Sequence, residues 1–195
     1  MKKHPAVYVV AGPNGAGKTT FALRFLPSIA RCKIFVNADF IARGLSPLDV
    51  DASAITSGKL FLEQINAHAV ARSTFAFETT LSGLGHLRLL SRLRSSGYRV
   101  YIYFLWVPTV DLALRRVADR VQLGGHRVPS EVVRRRYRKG LVNLFDHYLA
   151  AADYCAVFDN SSADPVLVYE WSLHKGRIVC PDVFEQISKQ RGGAW

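Results

Sequence analysis

The run AVYVVA leads straight into GPNGAGKTT, and this junction constrains the fold more tightly than anything else in the chain. Six apolar residues, three of them valine, read as a buried strand. Gly12, Gly15 and Gly17 let the following loop curl so that consecutive N–H groups face inward. The helix behind it adds the positive end of its dipole. The residues fill the pattern G-x-x-x-x-G-K-[ST] between strand and helix, the context that gives the pattern physical meaning. The stretch Gly12, Pro13, Asn14, Gly15, Ala16, Gly17, Lys18, Thr19 and Thr20 is therefore expected to cradle the phosphates of a nucleotide. Lys18 would bridge the outer phosphates and Thr19 would ligate Mg²⁺. The glycine order runs G-x-x-G-x-G before a lysine, which is not the dinucleotide fingerprint G-x-G-x-x-G, so nicotinamide cofactors are disfavoured.

Apolar and β-branched runs then alternate with segments of helical spacing, as in βαβ units. Strands are expected at residues 6–11, 33–37, 74–77, 99–107 and 154–158, and helices at 19–25, 54–71, 84–93, 110–120 and 130–151. Runs at 166–172 and 177–180 suggest an edge hairpin around Lys175-Gly176, and 187–195 reads as a frayed tail. The expected architecture is α/β, with a mostly parallel five-stranded sheet flanked by helices. A chain of 195 residues suits one such domain, with a basic helical lid at about 115–139.

Hydrophobic residues make up 49 % and charged residues 21 %, so the chain is expected to fold. Lys and Arg number 26 against 15 Asp and Glu, a net charge of +11. That balance points to a polyanionic ligand such as a nucleotide, a sugar nucleotide or a nucleic acid, and equally fits a solvated basic surface. Cys32, Cys155 and Cys180 lack the spacing of a zinc site or disulfide framework and read as reduced thiols. The start MKKHPAVYVVAG imitates a signal peptide, but its apolar part runs directly into the glycine loop. No segment has membrane-spanning length. The expectation is a cytoplasmic protein without an anchor.

LSGLG at residues 81–85 resembles the signature loop of transporter-type ATPases, yet the next strand, YIYFLWVP, ends without the carboxylate that such machines need. A small-molecule kinase needs a base for the accepting hydroxyl and arginines over the transferring group. Asp39, after KIFVN, stands where parallel strands deliver side chains to a ligand crevice; its alternative role is to cap a helix starting at Phe40. Glu78 ends TFAFE on a strand expected beside the first, near Lys18. It would hold metal-bound water or accept a substrate hydroxyl, the alternative again being a helix cap. Arg116 and Arg120 share one helical face, as do Arg134 and Arg138, while Val133, Tyr137, Leu141, Leu144 and Tyr148 form an apolar stripe. Arg120, and then one of Arg134, Arg135 and Arg136, are the arginines expected at the phosphates. Gly124-Gly125 separates the two basic helices, and His126 reads as loop packing. Asp159-Asn160-Ser161 would bracket a purine or close the sheet.

GPNGAGKTT, NADFIARGLSP, FAFETTLSG, GGHRVPSEVVRRRYRKGLVNL and VFDNS stand in the order found in the zeta toxin family of P-loop kinases, which the chain resembles from Ala6 to about Ser161. The resemblance implies transfer of the γ-phosphate of ATP or GTP to a hydroxyl of a UDP-amino sugar, typically UDP-N-acetylglucosamine. It implies Lys18 and Thr19 on phosphate and Mg²⁺, Asp39 as the base, and Glu78 and Thr80 on the sugar-nucleotide side. Arg120 and Arg136 would be the lid arginines. A separate antitoxin protein is the implied partner. A polynucleotide end kinase and a nucleotide-gated binding module with little turnover are the competing readings.

Overall fold

The computed structural model describes residues 4–122 and 127–192. The opening run forms β1 (Ala6–Ala11), and the glycine loop leads into α1 (Lys18–Ser28). There follow β2 (Phe35–Val36), α2 (Ala38–Leu45), α3 (Ala54–Val70), β3 (Phe75–Thr79), α4 (Gly85–Ser95), β4 (Arg99–Trp106), α5 (Val110–Gln122) and α6 (Ser130–Asn143). A π-helical turn, Leu144–Tyr148, carries α6 into the short α7 (Leu149–Ala151). The chain continues through β5 (Tyr154–Asp159), β6 (Val166–Ser172) and β7 (Lys175–Ile178) to α8 (Pro181–Arg191).

The strands lie in the order β2-β3-β1-β4-β5-β6-β7. The first five are parallel, while β6 and β7 run antiparallel to their neighbours. The sheet thus has seven strands rather than five, because the C-terminal hairpin pairs along β5. β1 lies between β3 and β4, with β2 beyond β3 and β5 beyond β4, so successive crossovers go to opposite sides of β1 and the crevice above its end is the natural ligand site.

Alternation along β1 divides the core. Val7, Val9 and Ala11 face Phe61, Ile65, Leu90 and Tyr148, whereas Val10 faces Phe21, Leu26, Ala113 and Val117 on the other side. The five residues of the stripe on α6 and its continuation are all buried. Val133 and Tyr137 join the second cluster, and Leu141, Leu144 and Tyr148 the first. This helix therefore ties the two layers together.

Three local expectations need correction. The hairpin turns at Leu173 and His174, both at positive φ, and Lys175 and Gly176 lie inside β7. Gly176 fits there because it sits under the Tyr169 hydroxyl, 2.3 Å from where a Cβ would stand. The segment read as a frayed tail begins inside α8, where Ile187 is fully buried and Gln190 accepts a hydrogen bond from Trp106 Nε1 at 2.8 Å. Pro181 at the first turn and Gly192 just past the end, with φ of 116°, delimit this helix. Finally, β3 runs on to Thr79 instead of ending at residue 77, so Glu78 is a strand residue in register with Val10.

Candidate active site

The glycine loop closes over the end of β1 with Gly17 in the left-handed region, φ 80°, at the start of α1. A Cβ at Gly17 would stand 2.5 Å from Asn160 Nδ2, so glycine meets both the backbone and the packing requirement. Asn160, just beyond β5, donates through Nδ2 to the Ala16 carbonyl at 2.7 Å and so clamps the loop from the far side of the sheet.

Inside the loop Lys18 is nearly buried. Its Nζ donates to the Pro13 carbonyl at 2.9 Å and lies 3.5 Å from Glu78 Oε1. Burial pushes this ammonium below its ordinary range, and the Glu78 carboxylate opposes that shift. Thr19 donates its hydroxyl to Glu78 Oε2 at 2.7 Å. The same oxygen accepts from Asn37 Nδ2 at 2.8 Å, while Asn37 Oδ1 accepts the backbone N–H groups of Asp39 and Phe40 at 2.8 and 3.1 Å. Asn37 is thus the cap of α2, the role that was Asp39's alternative. The carboxylate of Asp39 is released from helix capping and stands 3.7 Å from Arg120.

The arginines divide by partner. Arg120 lines a cavity of about 240 Å³ together with Gly15, Lys18, Thr19, Glu78 and Arg116. Arg116 donates to the carbonyls of Asn160 and Ser161, both at 2.7 Å. Of the triple arginine, Arg136 reaches the glycine loop, donating to Asn14 Oδ1 at 3.3 Å, whereas Arg134 pairs with Asp111 at 3.6 Å. Burial lowers the proton affinity of the Arg136 guanidinium, Arg135 adds to that, and Asp39 counteracts it. Thr80 stands apart from Glu78's hydrogen bonds, its hydroxyl 2.9 Å from that of Ser82. A second cavity of about 510 Å³ shares Gly17, Thr20 and Arg116 with the first and extends between Phe21 and Phe25 of α1 and the loop after β5.

Lys18, Thr19, Glu78, Asp39, Arg120 and Arg136 therefore converge at one end of the sheet. Gly124, Gly125 and His126 lie outside the described residues. Three residues had been missed or left open. Asn37 precedes the chosen Asp39 by two positions, and only its fit to α2 exposes its role. Arg116 had been noted for its helical face alone, and Asn160 had been left between two roles. Among the described residues no group of three or more His, Cys, Asp or Glu forms a metal cluster, and no helix is long and apolar enough to cross a membrane. All three cysteines are free thiols.

The zeta toxin family model matches residues 1–170. The chain belongs to the zeta toxin family. The chain is also 28 % identical over 126 residues to an uncharacterized protein of Haemophilus influenzae, covering 65 % of this chain and 88 % of that one. Its fold matches that of AvrRxo1-ORF1, solved with AvrRxo1-ORF2 and ATP, with a TM-score of 0.74 at 16 % identity over 97 % of this chain. This chain spans 65 % of the length of that structure's chain. The PezAT toxin–antitoxin system of Streptococcus pneumoniae gives a TM-score of 0.69 at 15 % identity, covering 100 % of this chain and 81 % of that one. The α/β fold of this zeta toxin family member is accordingly that of the P-loop kinases.

Proposed function

We propose that this zeta toxin family member is a kinase that transfers the γ-phosphate of ATP or GTP to a hydroxyl of a small molecule, a UDP-amino sugar such as UDP-N-acetylglucosamine. The observation that carries the reading is the linked set Lys18, Thr19, Glu78 and Asn37, which ties the phosphate loop directly to the helix turn bearing Asp39. Donor and acceptor machinery are thereby held in one frame. The donor's phosphates fit the smaller cavity, and its nucleoside fits the contiguous one beside Arg116 and Asn160.

In this mechanism Asp39 takes the proton of the acceptor hydroxyl as its oxygen bonds to the γ-phosphorus and the bond to the β-phosphate oxygen breaks. Lys18, Arg120 and Arg136 neutralise the oxygens of the group in flight, and no covalent enzyme intermediate forms. Glu78 and Thr80 line the acceptor side. The hydroxyl of Thr19 and the carboxylate of Glu78, 2.7 Å apart, form an oxygen donor pair suited to a hard cation. They would hold Mg²⁺, which supplies charge neutralisation to the donor phosphates when bound. Free thiols and a sugar-nucleotide acceptor suit a cytoplasmic protein. The AvrRxo1 and PezAT complexes, together with the +11 charge, support a separate acidic antitoxin as partner.

The test is transfer of label from ATP and GTP, with Mg²⁺, to a panel of UDP-sugars and 5′-hydroxyl oligonucleotides. Product on a UDP-amino sugar is expected. Asp39→Asn is expected to lower turnover by on the order of 10²-fold or more with ATP binding near normal, and Lys18→Ala to abolish transfer. Product on oligonucleotides alone would make the chain an end kinase. Tight nucleotide binding with no product on any acceptor would make it a nucleotide-gated binder, and full turnover by Asp39→Asn would remove the base assignment.

A further inference from the structure

Gln190, in the last turn of α8, touches three separate parts of the chain. Its Oε1 accepts from the buried indole of Trp106, at the end of β4, at 2.8 Å, and lies 3.2 Å from the Tyr137 hydroxyl of α6. Its Nε2 donates to the Pro108 carbonyl, in the turn between β4 and α5, at 2.6 Å. An indole N–H can only donate and a carbonyl can only accept, so the amide has one orientation in this place. Tyr137 adds a second tie to the turn by donating to the Val107 carbonyl at 2.7 Å. The helix that supplies Gln190 is itself seated, with Phe184 and Ile187 buried and Arg191 paired with Asp146. All of α8 lies past residue 170, where the match to the zeta toxin model ends.

The turn from β4 to α5 is also the seat of the glycine loop. A Cβ on Gly12 would stand 2.3 Å from the Leu105 carbonyl oxygen, and one on Gly15 2.2 Å from that of Ala113 in α5, so the loop rests directly on both flanks of this turn. The Asn160 N–H, donating to the Trp106 carbonyl at 2.9 Å, ties the loop's clamp to the same place. From α6, Arg136 reaches the loop itself and donates to Asn14 Oδ1 at 3.3 Å. Arg136 is next to Tyr137, so the position of α6 relative to the turn decides whether the guanidinium spans that gap. A contact already this long is lost with a small displacement of the helix.

We infer that Gln190 is a positioning residue, which pins α6 to the β4–α5 turn and thereby holds Arg136 over the nucleotide-binding loop. The inference rests on the kinase reading for what Arg136 does in turnover, but its test is read first in nucleotide binding, which needs no acceptor. A non-hydrolysable ATP analogue with Mg²⁺ would be titrated calorimetrically into the wild-type chain, Gln190→Met, Arg136→Gln and the double variant. Arg136→Gln is expected to weaken binding by about 10-fold, and Gln190→Met, which keeps the side chain's length and removes its hydrogen bonds, by about 5-fold. The double variant is expected to bind no more weakly than Arg136→Gln alone, because a pin that acts through Arg136 then has nothing left to hold. Ile187→Val, which trims the buried face of the same helix, is expected to lower the melting temperature and leave the affinity unchanged. Tyr137→Phe keeps the ring in the core and breaks the pin from the side of α6, so it carries the same cycle if Gln190→Met does not fold. Unchanged affinity in Gln190→Met and Tyr137→Phe, a loss that persists in full on the Arg136→Gln background, or an equal loss in Ile187→Val would reduce Gln190 to general support of the fold and overturn the inference. If no acceptor is phosphorylated while the cycle is non-additive, the kinase reading falls and the pin on the nucleotide site stands.

Discussion

Asn37 shows how one side chain joins two functions. Its carbonyl oxygen caps α2 and its amide donates to Glu78, so replacing it separates a stability effect from an activity effect. Asn37→Asp keeps an acceptor for the cap but turns an acceptor towards the Glu78 carboxylate; Asn37→Ala loses both contacts. Melting temperature and kcat measured on both variants are expected to show an activity loss in each, with a cap loss of about 1 kcal/mol confined to alanine. Equal kcat in Asn37→Asp and wild type would mean that its contact with Glu78 does not matter to the reaction. The residues that sit inside a spacing pattern, Lys18 and Thr19 above all, were legible in the sequence. Asn37 and Asn160 were not, because each acquires its meaning from a partner far along the chain: Glu78 for the first, the Ala16 carbonyl for the second.

At the scale of elements, periodicity located the long helices and the apolar strands well, and it failed where pairing or packing decides. β3 continues through Glu78 because β1 offers it a ladder, and α8 forms because Phe184 and Ile187 find a buried seat. The hairpin is the clearest case. Lys175-Gly176 looked like the turn, but Tyr169 requires the glycine inside the strand and leaves the turn to Leu173 and His174 at φ 50° and 60°. A two-residue turn with both φ positive favours Asn-Gly, and a branched leucine there is strained. Leu173→Asn with His174→Gly is therefore expected to raise stability by about 1 kcal/mol, read from the urea midpoint. A lowered midpoint would show that the contact of His174 with the Trp171 ring outweighs the relief of backbone strain.

Across the whole molecule, buried phenols hold the layers together. The Tyr137 hydroxyl donates to the Val107 carbonyl and that of Tyr148 to the Gly83 carbonyl. Burial pushes both phenols up from 10.0 to about 12. The unfolded chain ionises them near 10, so the stability they contribute is complete below that pH and is lost as pH rises towards 12. Urea midpoints measured from pH 9 to 12 are expected to fall, and to fall less in Tyr137→Phe and Tyr148→Phe; identical slopes in all three proteins would contradict this.

The sheet itself ends in two unlike borders. β2 contributes only Phe35 and Val36, too short a template for another chain, while β7 is exposed along its whole length and carries Lys175 and Arg177. Like-charged copies of β7 repel one another, and a strand of two residues offers few free backbone groups to a newcomer. Self-association by strand addition is thus discouraged at both borders, which leaves helical faces and loop surfaces as the places where another protein can gain a hold.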